Sequence, residues 1–227
     1  MNNDVSPAIL NAVVKDFEKQ YQTSKEVNRL IKKIMDGKAT HEDSYKFAQT
    51  VSDFLNKAIK KNMTGSTLPN GKLYYHIAES VLTPLLKNNH ALVTSYVKDV
   101  QSLLNKKEDI PIKGITAKCN TDRIQGICSE FSRSDAFEET RQELNDSVEN
   151  YTLSCVDDTI KENVKFLNEL GYHEVVERHA ESGACKWCRS IEGTYDYSSD
   201  MDNAVFKRHK RCKCIISVHR KKLFRRG

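Results

Sequence analysis

Glycine and proline are scarce, with nine Gly and four Pro in 227 residues. That scarcity argues against an all-β architecture, whose many tight turns draw on the left-handed freedom of Gly and the fixed φ of Pro. Long apolar runs are missing too: none approaches the roughly 18–20 residues a membrane helix needs. Hydrophobic residues make up 38% of the chain and the mean hydropathy is −0.62. This is polar for a compact single core, yet not polar enough for wholesale disorder. The opening Met-Asn-Asn-Asp-Val has neither the basic nor the apolar region of a secretory leader, so no signal peptide is expected. No H-E-x-x-H, G-x-S-x-G or Walker loop occurs, and the deaminase pattern of H-x-E followed by P-C-x-x-C is absent. No repeat recurs at a solenoid period.

Acid is also missing from one end. From Lys207 to Gly227 there are ten basic residues and no Asp or Glu: Lys207, Arg208, Lys210, Arg211, Lys213, Arg220, Lys221, Lys222, Arg225 and Arg226. Taking these ten from the 36 Lys+Arg leaves 26 against 31 acids in residues 1–206. The formal net charge of +5 is therefore a body of −5 joined to an end of +10. Such an end is expected to contact a polyanion or an acidic protein surface.

What is present in the body is helical periodicity. Ser6-Pro7 reads as a helix start with the Ser6 hydroxyl as cap, followed by Ile9, Leu10, Val13, Val14, Phe17 and Tyr21 at helical spacing. Ser24 opens a second helix with Val27, Leu30, Ile31 and Ile34 on one stripe, and Gly37 stops it. Thr40-x-x-Asp43 has the outline of a capping box ahead of Phe47, Val51, Phe54, Leu55 and Ala58. A turn-rich stretch at 64–71 follows. Tyr74 to Leu104 again reads as helix, with an interruption or kink expected at Pro84 and Asn88-Asn89. After a polar segment containing Pro111, Ser134-Asp135 is expected to cap a further pattern through Leu144, Val148, Tyr151, Cys155, Ile160, Val164 and Leu167, ended by Gly171.

The last third alternates instead. Tyr172 to Arg178, Thr194 to Tyr197 and Cys214 to Val218 are candidate strands. Between them stand Cys185-x-x-Cys188 and His209-x-x-Cys212-x-Cys214. A C-x-x-C turn lets two thiolates grip one ion, and a second pair from a neighbouring element completes a tetrahedron. His209 with Cys212 has knuckle spacing, whereas Cys212 and Cys214 share one face of a strand. Spacing leaves the choice of four among Cys185, Cys188, His209, Cys212 and Cys214 open. A structural Zn²⁺ is the expected cofactor, since thiolate with imidazole suits it. Cys119, Cys128 and Cys155, on helical patterns, read as small buried hydrophobes. His179 is near enough to the cluster to support a ligand.

The stretch Gly171 to Val218 resembles the C-terminal region of the phage minor head protein family, the Mu F-like head-morphogenesis proteins. The residues that carry the resemblance are Leu170-Gly171, Glu181, Cys185-x-x-Cys188, Glu192-Gly193-Thr194-Tyr195 and His209-Lys210-Arg211-Cys212-Lys213-Cys214. Arg208 and Lys210 stand where the family usually has prolines. The resemblance implies a minor capsid component associated with the portal protein and other capsid components. It would act in head assembly, DNA packaging or ejection, without catalytic activity, in the virion and, during assembly, in the host cytoplasm. Packaged DNA is the expected partner of the basic end. The alternative is a zinc-ribbon nucleic-acid-binding protein, with an HNH-like nuclease or toxin as a weaker third reading.

The expected fold is mainly α, an elongated helical bundle, with a small C-terminal α+β zinc knot of two or three short antiparallel strands. The expected division is an N-terminal helical region at 1–105, a linker at 106–118, long helices at 119–171, a zinc-binding β region at 172–219 and a basic tail at 220–227.

Overall fold

The computed structural model describes residues 4–198 and 203–220, so Lys221, Lys222, Arg225 and Arg226 lie outside the described residues. The protein is mainly α with a small C-terminal sheet, as the periodicity predicts. The helices are α1 (Ser6–Thr23), α2 (Lys25–Met35), α3 (His41–Asn62), α4 (Tyr75–Lys107), α5 (Thr121–Phe131), α6 (Phe137–Glu169) and the short α7 (Lys186–Ser190). The strands are β1 (Glu174–His179), β2 (Gly193–Asp196) and β3 (Ile215–Arg220). They form one antiparallel sheet in the order β2-β1-β3, with Val176 opposite both Tyr195 and Val218.

Several ends follow local chemistry. The Ser24 hydroxyl accepts from Val27 N at the start of α2, and Gly37 takes φ +70° just past its end, which a side chain would resist. Thr40 and Asp43 form a reciprocal capping box on α3. Gly171, at φ +85°, turns the chain out of α6 while Tyr172 N donates to Leu167 O.

Four expectations are corrected. Ser6 is not a cap: it is the first residue of α1, and its own N–H donates to Asp4 Oδ1 at 2.9 Å. Ser134-Asp135 does not cap α6 either. The helix begins at Phe137 after Ala136, and Asp135 instead pairs with Lys72 at 2.8 Å. Cys119 lies in the extended segment before α5, not on a helix. Finally, α4 runs through Pro84 and Asn88-Asn89 without a break. Pro84 and Ser80, whose carbonyl loses its donor, are on the exposed face, while Val81, Leu82, Leu85 and Leu86 are buried on either side. Asn89 is buried, and its Nδ2 donates to Thr152 Oγ1 at 2.5 Å while its Oδ1 has no partner.

One apolar cluster unites the helices and reaches the sheet through Val176 and Ile216. Phe47 stacks on Tyr96 with centroids 4.2 Å apart, and Tyr96 OH donates to Leu30 O. The segment between α4 and α5 is tied down by side chains: Asn163 both donates to Ile115 O and accepts from Ile115 N. A Cβ on Gly114 would sit 2.5 Å from Lys98 O, so only Gly permits this approach to α4. On the outer edge of β3, Ile216 N donates to Tyr45 OH and Val218 N to His41 Nδ1. Tyr45 and His41 are one helical turn apart on α3, so their spacing matches alternate N–H groups of the strand. The sheet is thereby seated against the helical body, with its Cys/His loops at one end.

Candidate metal centre

Two short turns bring the ligands together. Cys185 is the N-cap of α7 and its Sγ accepts from Cys188 N, so the five-residue helix places Cys188 one turn on, facing the same point. On the other side Cys212 N donates to His209 O, closing a turn in which Arg211 takes φ +63°. A left-handed non-glycine residue costs roughly 1–2 kcal/mol. Here it directs His209 and Cys212 back towards α7.

All five sequence-predicted ligands converge. They form two overlapping triads, Cys185–Cys188–His209 and Cys188–Cys212–Cys214, with the donor atoms of each within 4.8 Å of one another. Cys188 is common to both and is 1% exposed. Its Sγ lies 2.9 Å from His209 Nε2 and 3.6 Å from Cys212 Sγ, and Cys185 Sγ lies 3.3 Å from His209 Nε2. His209 Nδ1 lies 2.7 Å from Lys210 O, a partner that can only accept, so Nδ1 carries the proton and Nε2 offers its lone pair to the cluster. Burial, with the Cys214 and Cys212 thiols beside it, raises the Cys188 thiol above its ordinary range. The Cys188 N–H lowers that of the exposed Cys185.

Two buried guanidinium groups back the cluster, and sequence reasoning found neither in this role. Arg178 of β1 is 1% exposed. It donates to Val205 O at 2.5 Å and to Cys212 Sγ at 3.6 Å, with its Nε left unpaired and Trp187 beneath it. Arg208 is the second. It was expected to contact nucleic acid or an acidic partner, and this is corrected: its side chain and that of Asp157 on α6 are each 1% exposed, joined at 2.7 Å and 3.0 Å. Arg208 also donates to Cys212 O at 2.6 Å and Cys214 O at 2.8 Å, while Tyr45 OH donates to Asp157 Oδ1 at 2.5 Å. Burial opposes the charge on Arg208, but Asp157 outweighs it and holds the guanidinium firmly protonated. Three elements, α3, α6 and the cysteine loop, are thus fastened through one carboxylate.

The other basic residues divide. Arg211 pairs with Asp146 and Lys213 with Glu149, both on α6. Arg220 lies over the Tyr172 ring with centroid distance 4.8 Å. Lys207 and Lys210 are exposed, as is Trp187 at 37%. Among the described residues, three of the six Lys and Arg of the basic end, Arg208, Arg211 and Lys213, are therefore answered by acids of the chain's own α6. His179 is exposed and pairs with Glu177, away from the ligand atoms.

Fold and site together define a mainly helical protein with a small antiparallel sheet whose Cys/His cluster could hold a metal ion. No known protein family, curated protein or solved structure matches the chain. No helix among the described residues is long and apolar enough to cross a membrane.

Proposed function

We propose that this chain is a structural, non-catalytic protein whose cluster holds one Zn²⁺, and that it serves as a portal-associated minor head component of a tailed phage. The observation that carries the metal reading is the convergence of three further thiols and His209 Nε2 on Cys188, with His209 Nδ1 held by Lys210 O. The donor set suits zinc: tetrahedral bonds to sulfur and nitrogen imply ligand separations of roughly 3.5–3.8 Å, which the 3.6 Å between Cys188 and Cys212 meets, while His209 Nε2 lies closer, at 2.9 Å from Cys188 and 3.3 Å from Cys185. Zinc, when bound, supplies folding energy and neutralises the thiolates. A set of three or four thiolates with imidazole closes the coordination sphere to substrate, which favours a structural role.

The head-assembly role rests on the motif from Leu170 to Cys214, and on a knot fastened to a helical body as an assembly component requires. Lys207 and Lys210 support a sequence-independent contact with DNA phosphates. Mass spectrometry of purified phage particles should find the chain in the head, in a complex that dissociates with the portal. A chain found only in the infected cell and never in particles would overturn this role while leaving the zinc reading standing.

A further inference from the structure

The N-terminal half carries an apolar groove far in sequence from the metal cluster. Tyr21 of α1, Ile31, Ile34 and Met35 of α2, and Leu92 of α4 line a cavity of about 590 Å³. Two of these side chains are left to solvent, Ile31 at 38% exposure and Met35 at 81%. The α4 side is built differently: Asn88, Ala91, Ser95 and Asp99 recur every three or four residues, are exposed, and are small or polar. A stripe of that kind lets a second helix approach closely, and the apolar wall beside it gives that helix something to bury.

Charge indicates what kind of helix. Arg29 pairs with Glu26, Lys33 with Asp43 and Lys98 with Asp99. Lys25, Lys32 and Lys38 on and beside α2, and Lys87 on α4, are exposed with no carboxylate partner among the described residues; on and just after α2, Asp36 is the one acid in the same state. The free charge around the groove is thus positive, in a body whose net charge is negative. We propose that this groove docks an amphipathic helix of a partner protein, its apolar ridge flanked by acidic side chains. This surface is independent of the zinc site, and its failure would leave that reading untouched.

The test uses the full metal-loaded chain and a fluorescent helical peptide of about 18 residues with leucines spaced three and four apart and glutamates elsewhere. A second peptide carries lysine in place of each glutamate. Anisotropy should show saturable binding of the acidic peptide, weakened about tenfold or more by Ile31→Ser with Met35→Ser. Lys32→Glu with Lys87→Glu should weaken the acidic peptide and favour the basic one. These are surface positions, so far-UV circular dichroism should match the parent. Equal binding of both peptides, or indifference to the Ile31 and Met35 changes, would overturn the proposal. So would a concentration-dependent dimer abolished by Met35→Glu, which would assign the groove to a second copy of the chain.

Discussion

In the helical body, a continuous apolar cluster extends from Ile9 to Ile216, with Phe47, Tyr96, Tyr151, Phe131 and Phe137 among its buried members. In the knot, the buried cluster is Cys188, Cys212 and Cys214, with Ala180 and Ala184 as its partly buried neighbours. The first region removes enough apolar surface from water to hold itself together. The second has almost none to remove, and its interior consists of groups that repel when ionised and gain little when neutral. On the proposed zinc reading, a cation at its centre supplies what apolar burial does not, and the segment is tied mechanically to something larger. Asp157 supplies the tie, because Arg208 joins it to the carbonyls of both Cys212 and Cys214.

The largest effect should come from removing the shared ligand. Apparent zinc-binding energies of structural sites are on the order of 10 kcal/mol, so Cys188→Ala should abolish the order of residues after Gly171. Near-UV circular dichroism would lose the signal of Trp187, while the helical far-UV signal should largely survive. Survival of the Trp187 signal would mean the knot stands without its ligand.

Next comes the tie. Asp157→Ala leaves Arg208 buried and unpaired and should cost about 3–5 kcal/mol in urea unfolding. Phe47→Ala, in the apolar core, should cost a similar amount, about 3–5 kcal/mol. The two should part in a chelator competition: the Asp157 variant should release metal more readily, the Phe47 variant should not. Equal metal retention would show that Arg208 does not steady the ligand loop.

The smallest effect concerns pH. Burial lowers the His41 pKa to about 4, so its neutral form stabilises the fold above the unfolded value of 6.5, and that contribution is lost as pH falls from 6.5 to 4. Burial, with Asp157 beside it, raises the Asp158 pKa to about 6, so its contribution is present below 3.8 and lost as pH rises to 6. The two trends oppose each other between pH 4 and 6. Asp158→Asn should therefore gain stability relative to the parent as pH rises through that window, by up to about 3 kcal/mol. A pH-independent difference in urea midpoints would contradict the assignment.

Much of the fold was legible because its signals are local. Ser24, the Thr40–Asp43 box, Gly37 and Gly171 each act within a few residues of themselves, and the three strands and five metal-ligand candidates follow from short spacings. The misreadings depended on distance. Pro84 is tolerated because packing on both sides holds α4 through it, which its neighbours in sequence do not reveal. Arg208 looked like one of ten surface cations, and nothing near it announces an aspartate 51 positions earlier. Arg178 had no signal beyond its place in an alternating strand, and its burial depends on Val205 and Cys212 arriving from elsewhere.

The central claim is that a bound cation replaces the missing apolar core of the knot, and it is tested most directly by metal analysis joined to chelation. Protein purified without added metal should carry about one zinc per chain, and stripping it should abolish the near-UV signal of Trp187 until zinc is returned. A metal-free chain with that signal intact and unchanged by added zinc would contradict the account.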